Sequence, residues 1–166
     1  FWIRNTVKAM GGGDARVSVA SWSDVVKANN VTQDEGGNQG IVDSGGLHLD
    51  GTDDFYNFPE SIAIEISNPF TVAAVVEFDE LANETLLSDS TSEFYEFLNT
   101  TKTRIKTPGT GGGAITSIYT ADNAMYGTST IMLVVLTRNA ENSLNIYKNG
   151  ETPAGSWSNQ TNAGPI

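Results

Sequence analysis

The chain contains no cysteine. That excludes a disulfide framework and any thiolate metal site, and it leaves stability to packing and hydrogen bonding. It contains one histidine, His48, so a histidine-based catalytic triad or a zinc centre lacks raw material. Basic residues are scarce, 9 against 20 acidic, for a formal net charge of −11. A surface this acidic repels phosphate backbones and anionic bilayers, so neither nucleic acid nor membrane is an expected partner. No apolar run approaches the ~20 residues that a membrane-spanning helix needs. The chain begins at Phe1 without a signal-peptide pattern, and reads as processed or as one piece of something longer.

What the chain does have is glycine, 17 residues in 166, together with frequent asparagine and threonine and a modest 39% of hydrophobic residues. The length suits one domain with one core. The composition suits many short strands joined by loops better than a helical bundle.

The apolar pattern supports that reading. Residues 1–10 offer Trp2, Ile3 and Val7 for burial before Gly11-Gly12-Gly13 interrupts. Residues 16–22 alternate, and 27–40 form a polar surface loop. Residues 45–58 place two short strands around an Asp50-Gly51 turn, a hairpin signal. Residues 61–67 read as a helical turn or, from the alternation of Ile62, Ile64 and Ile66, as a strand.

Residues 70–78 are the clearest strand, with Phe70, Val72, Ala74, Val76 and Phe78 on one face. Further strands are expected at 86–88, 94–98, 104–106 and 115–119, with a glycine-rich loop over 107–114. The run 131–136 is apolar on both faces, as a central strand covered on both sides would be. Residues 144–147 lead into Asn149-Gly150, the preferred pair for a type I′ turn. No fixed-period repeat is visible, so a single domain is expected over 1–166.

Three features, in this order, resemble the laminin-G-like / concanavalin-A-like family. Val19-Ala20-Ser21-Trp22-Ser23-Asp24 is similar to the family's W-x-D segment. Leu47-His48-Leu49-Asp50-Gly51-Thr52-Asp53-Asp54-Phe55 is close to its F-x-G-T-D-D-Y hairpin. The strand at 70–78, taken with Leu136-Thr137-Arg138-Asn139 and Ile146-Tyr147-Lys148-Asn149-Gly150, resembles its closing V-x-N-G hairpin. The resemblance implies an all-β, two-sheet antiparallel jelly-roll sandwich with inward side chains filling the space between the sheets. It also implies further strands after the last hairpin. Here only the mostly polar 151–166 follow, so a closing strand is expected either from sequence beyond this piece or from a partner chain.

The same family contains glucanases, whose acidic residues alternate along one strand face. Glu77, Asp79 and Glu80 approximate that motif, but Leu81 and Ala82 stand where the second glutamate belongs. The motif fails, and no catalytic residue is expected. Calcium is the one cofactor the residues offer, through Asp50, Asp53 and Asp54 around a turn, although aspartate also favours turns through local backbone bonds. Trp157, Tyr126 and Asn159 are the candidate ligand-binding residues, since loop aromatics beside asparagine stack on sugars. Sequons at Asn30, Asn83, Asn99 and Asn159 matter only in a secreted eukaryotic chain.

By analogy of fold, the resemblance implies a non-catalytic structural or adhesion module of a larger surface assembly. A phage virion protein, as capsid decoration or tail-fibre component, is the leading expectation. Its partners would then be other protein subunits, and its place the virion or the cell surface. The alternative is a carbohydrate-binding module that reads surface glycans with the help of calcium.

Overall fold

The computed structural model describes residues 17–18, 20–22, 30–43, 46–50, 54–58, 69–88, 94–108, 114–139 and 143–158. The expected apolar opening at 1–10, the turn tip at 51–53, the segment 61–67 and the tail from 159 lie outside the described residues. Within them the chain is all-β apart from a single 3-10 turn at Gly36–Asn38, and every pairing of named strands is antiparallel. The chain divides into two compact units, residues 1–62 and 63–166.

The first unit holds β1 (Val17–Ser18), β2 (Ser21–Trp22), β3 (Val31–Thr32), β4 (Ile41–Asp43) and β5 (Gly46–His48). Strands β1, β4 and β5 form one sheet, and β2 pairs with β3. The Asp-Gly hairpin expected at 45–58 takes a different form. Strand β5 pairs with β4, and the segment after the turn is tied to β3 through reciprocal Thr32 and Asn57 backbone bonds of 2.9 and 2.8 Å. Among the described residues of this unit, Val31 and Val42 are the buried apolar side chains. Gln33 is buried beside them with its polar atoms paired: its Nε2 donates to Phe55 O at 3.2 Å and its Oε1 accepts from Glu35 N–H at 3.0 Å.

The second unit begins with β6 (Phe70–Val76), followed by β7 (Glu84–Ser88), β8 (Phe94–Asn99), β9 (Lys102–Pro108) and β10 (Ala114–Ala121). Next come β11 (Met132–Arg138), β12 (Leu144–Lys148) and β13 (Gly155–Trp157). One sheet runs β13-β10-β9-β8-β7 and the other β12-β11-β6. Inward residues of the first sheet (Tyr95, Phe97, Ile105, Tyr119) and of the second (Met132, Val134, Leu136, Leu144, Ile146) belong to one hydrophobic cluster. The arrangement is a sandwich of antiparallel sheets. Phe78, just past β6, anchors it by packing edge-on against Phe97 of β8 at 4.9 Å.

Three local outcomes refine the sequence reading. The run 131–136 becomes the central strand β11 but is covered on one face only. Met132, Val134 and Leu136 are buried, whereas Ile131 is 65% and Leu133 40% exposed. The Asn149-Gly150 turn forms with both φ positive, 51° and 87°, as type I′ requires. Its returning arm is a single bridge at Glu151, after which the chain passes to the other sheet.

The polar stretch 151–166 does contribute a strand, because β13 docks on β10 with Trp157 opposite Tyr119. Gly155 permits that approach. A Cβ there would lie 2.7 Å from Ala121 Cα and would also collide with the Thr120 carbonyl.

Candidate functional site

Strand β6 is built from β-branched residues, alanine and one phenylalanine, and carries no charge. It pairs with β11 from Phe70↔Arg138 to Val76↔Met132 without a register shift. Among the described residues β11 is the one strand that pairs with it. Its core-facing Phe70, Val72, Ala74 and Val76 are half-buried, in contrast to the fully buried Met132, Val134 and Leu136 on β11. Leu81, Leu86 and Leu87 are likewise half-buried at the margin of the same cluster. On the outer face Val75 is 71% exposed and sits directly opposite exposed Leu133.

The other described edges of this unit are shielded in the usual ways. Strand β7 carries Glu84 and a bulge between Thr85 and Leu87. Strand β12 ends in Lys148, and β13 is only three residues long. Strand β6 has none of these devices.

At one end of β6 lies an open cleft of about 410 Å³, lined by Pro69, Phe70, Thr71, Thr137, Arg138 and Asn139. Alternation along β11 places Arg138 on the inward face, in phase with Met132, Val134 and Leu136, and it is 1% exposed. Its guanidinium stacks 4.9 Å above the Phe70 ring, and burial lowers its pKa. The sequence reading missed this residue, although the period-two count from Met132 places it inside.

The residues singled out from sequence are dispersed. Tyr126 is 3% exposed; it packs edge-on against Phe97 at 5.0 Å and its hydroxyl bonds to Thr103 Oγ1, so in this structure its ring offers no face to a ligand. Trp157 is half-buried on β13, 5.2 Å from the Tyr119 ring and tilted by 59°. Asn159 lies outside the described residues. Of the three aspartates, Asp50 and Asp54 are joined by a 2.8 Å bond from Asp50 N–H to Asp54 Oδ2, and Asp53 is outside the described residues. That bond is the local turn-closing role which aspartate takes in loops. Glu77, Asp79 and Glu80 face water past the end of β6.

Compared with protein-family models, with curated proteins and with solved structures, the chain matches none.

Proposed function

We propose that this chain is a non-catalytic structural or adhesion module of a larger surface assembly, such as a virion, built on a jelly-roll sandwich of the laminin-G-like / concanavalin-A-like kind. The observation that carries this reading is the edge of β6. An uncharged, unbulged strand that has one neighbour among the described residues, and whose own core-facing side chains stay half-open, is suited to accept a further strand. The incoming strand would pair along the side of β6 away from β11 and set its apolar side chains beside Phe70, Val72, Ala74 and Val76. This is the closing strand that the family resemblance calls for. Self-complementation within one longer chain and assembly between chains use the same edge.

The test supplies the strand artificially. A short alternating Val/Thr strand is fused after Ile166 through a long Gly/Ser linker, with a proline-interrupted strand as control. The expected result is a rise of several degrees in Tm together with slowed hydrogen exchange at the β6 amides, neither seen with the control. If the intact strand neither stabilises the protein nor protects β6, the acceptor reading is wrong.

A further inference from the structure

We infer that Asn149 is a site of spontaneous covalent modification, conversion to aspartate or isoaspartate through a cyclic imide, which the native β11–β12 hairpin holds in check.

The chemistry begins in the sequence. Asn149 is the one asparagine in the chain that a glycine follows. Gly150 has no side chain to hinder the approach of its own backbone nitrogen to the preceding side chain. That nitrogen attacks Asn149 Cγ and forms a new C–N bond. The Cγ–Nδ2 bond breaks, and the side-chain nitrogen leaves as ammonia with the Gly150 amide proton. Water then opens the five-membered imide. Addition at Cγ restores the ordinary main chain with aspartate at position 149. Addition at the former main-chain carbonyl carbon leaves Gly150 attached through Cγ, an isoaspartate linkage with one more carbon in the backbone. Water enters, ammonia leaves, and nothing is oxidised or reduced.

The structure sets when this happens. Asn149 and Gly150 are both exposed at the tip of the turn, so water reaches them freely. What restrains the reaction is geometry. Asn149 Oδ1 accepts the Leu133 N–H at 2.9 Å, which anchors the amide of its side chain on β11. Its own N–H donates to the Leu133 carbonyl at 2.8 Å, and Lys148 and Glu151 close the turn with reciprocal bonds of 2.8 and 3.0 Å. Ring closure rotates the Asn149 side chain and the Gly150 peptide toward each other. That breaks the anchor and takes the turn out of its type I′ dihedrals. Conversion therefore proceeds from the opened hairpin, at a rate set by how often β11 and β12 part. The two products then differ in consequence. Aspartate keeps the acceptor oxygen and the turn recloses. The extra backbone carbon of isoaspartate displaces Glu151 from its place opposite Lys148, so the hairpin no longer closes in register.

Peptide mapping of the full chain tests this, after incubation in mildly alkaline buffer with and without denaturing guanidinium chloride. The yield of aspartate and isoaspartate at position 149 is the readout. Conversion should be about ten-fold or more slower in the folded chain than in the unfolded one. Ile146→Val trims a buried side chain of β12 without touching the turn, and should raise the native rate several-fold. Gly150→Ala should slow conversion in denaturant, where only the chemistry is read. Equal rates in folded and unfolded wild type overturn the restraint, and an asparagine that persists in denaturant overturns the site itself. A native rate that Ile146→Val leaves unchanged also overturns the inference, because conversion then bypasses the opening of the hairpin.

Discussion

Asn149 holds Leu133 from both sides of its own backbone: its Oδ1 accepts the Leu133 N–H at 2.9 Å, and its N–H donates to the Leu133 carbonyl at 2.8 Å. The same residue has φ 51°, in the left-handed region that the turn needs. One side chain therefore sets the turn and fastens it to β11. Asn149→Ala removes both contributions and should cost about 1–2 kcal/mol in urea unfolding. Asn149→Gly keeps the turn geometry and should cost less, and Asn149→Asp, which keeps the acceptor, should be close to wild type. Full wild-type stability in Asn149→Gly would show that the side-chain bond carries nothing.

Leu136 and Leu133 stand three residues apart on β11 and face opposite ways, the first fully buried and the second exposed. Leu136→Ala should lower stability by about 2–5 kcal/mol through lost transfer energy and the cavity left behind. Leu133→Thr should stay within about 0.5 kcal/mol, since it removes no core contact. Unfolding midpoints of the two variants, compared directly, check which face of the strand is inside.

Two kinds of buried hydroxyl line the core. Tyr126 bonds to Thr103, whereas among the described residues Tyr95 Oη and Ser117 Oγ are buried without a hydrogen-bond partner. Tyr126→Phe should therefore cost about 1–3 kcal/mol by stranding the Thr103 hydroxyl. Tyr95→Phe should be neutral or slightly stabilising, because it removes a polar atom that folding desolvates for no return. A marked loss for Tyr95→Phe would mean that an ordered water serves that hydroxyl.

Stability should fall at alkaline pH. Burial raises the hydroxyl pKa of Tyr95 and Tyr126 above the ordinary 10.0, and Tyr119 is raised by burial and then by the charge of Asp122. The unfolded chain releases these protons near pH 10 while the folded chain keeps them. The folded state is therefore fully favoured below that pH and loses ground above it, by at most about 1.4 kcal/mol per pH unit for each of the deeply buried Tyr95 and Tyr126, and by less for Tyr119. Urea midpoints from about pH 8 to 11.5 should show the decline. The double variant Tyr95→Phe, Tyr126→Phe should reduce it to the share of Tyr119, and an unchanged slope would place the alkaline sensitivity in other groups.

Much of the architecture was legible in local pattern. Alternation over 70–78 identified β6 and assigned its inward face, and Asn149-Gly150 identified a type I′ turn, because both depend on residues within a few positions of one another. The candidate ligand residues were less legible. Tyr126 beside a loop glycine and Trp157 in a polar stretch both look like loop aromatics, yet one is enclosed by Phe78 and Phe97 and the other lies in a strand against Tyr119.

Composition and periodicity alone therefore settled that the chain is built of strands, that cysteine chemistry plays no part, and which parity of β6 turns inward. Only the tertiary structure decided which apolar surfaces are covered. Ile131, Leu133 and Val75 look as core-like in sequence as Met132 and Val134, but lie on the outer face of the sheet. Arg138 lies inside for the same reason of parity, against its chemical preference for water. Parity is a property of neighbouring residues, whereas coverage depends on strands far apart in the chain. That β6 pairs with β11, more than fifty residues further along the chain, therefore emerges only from the tertiary structure.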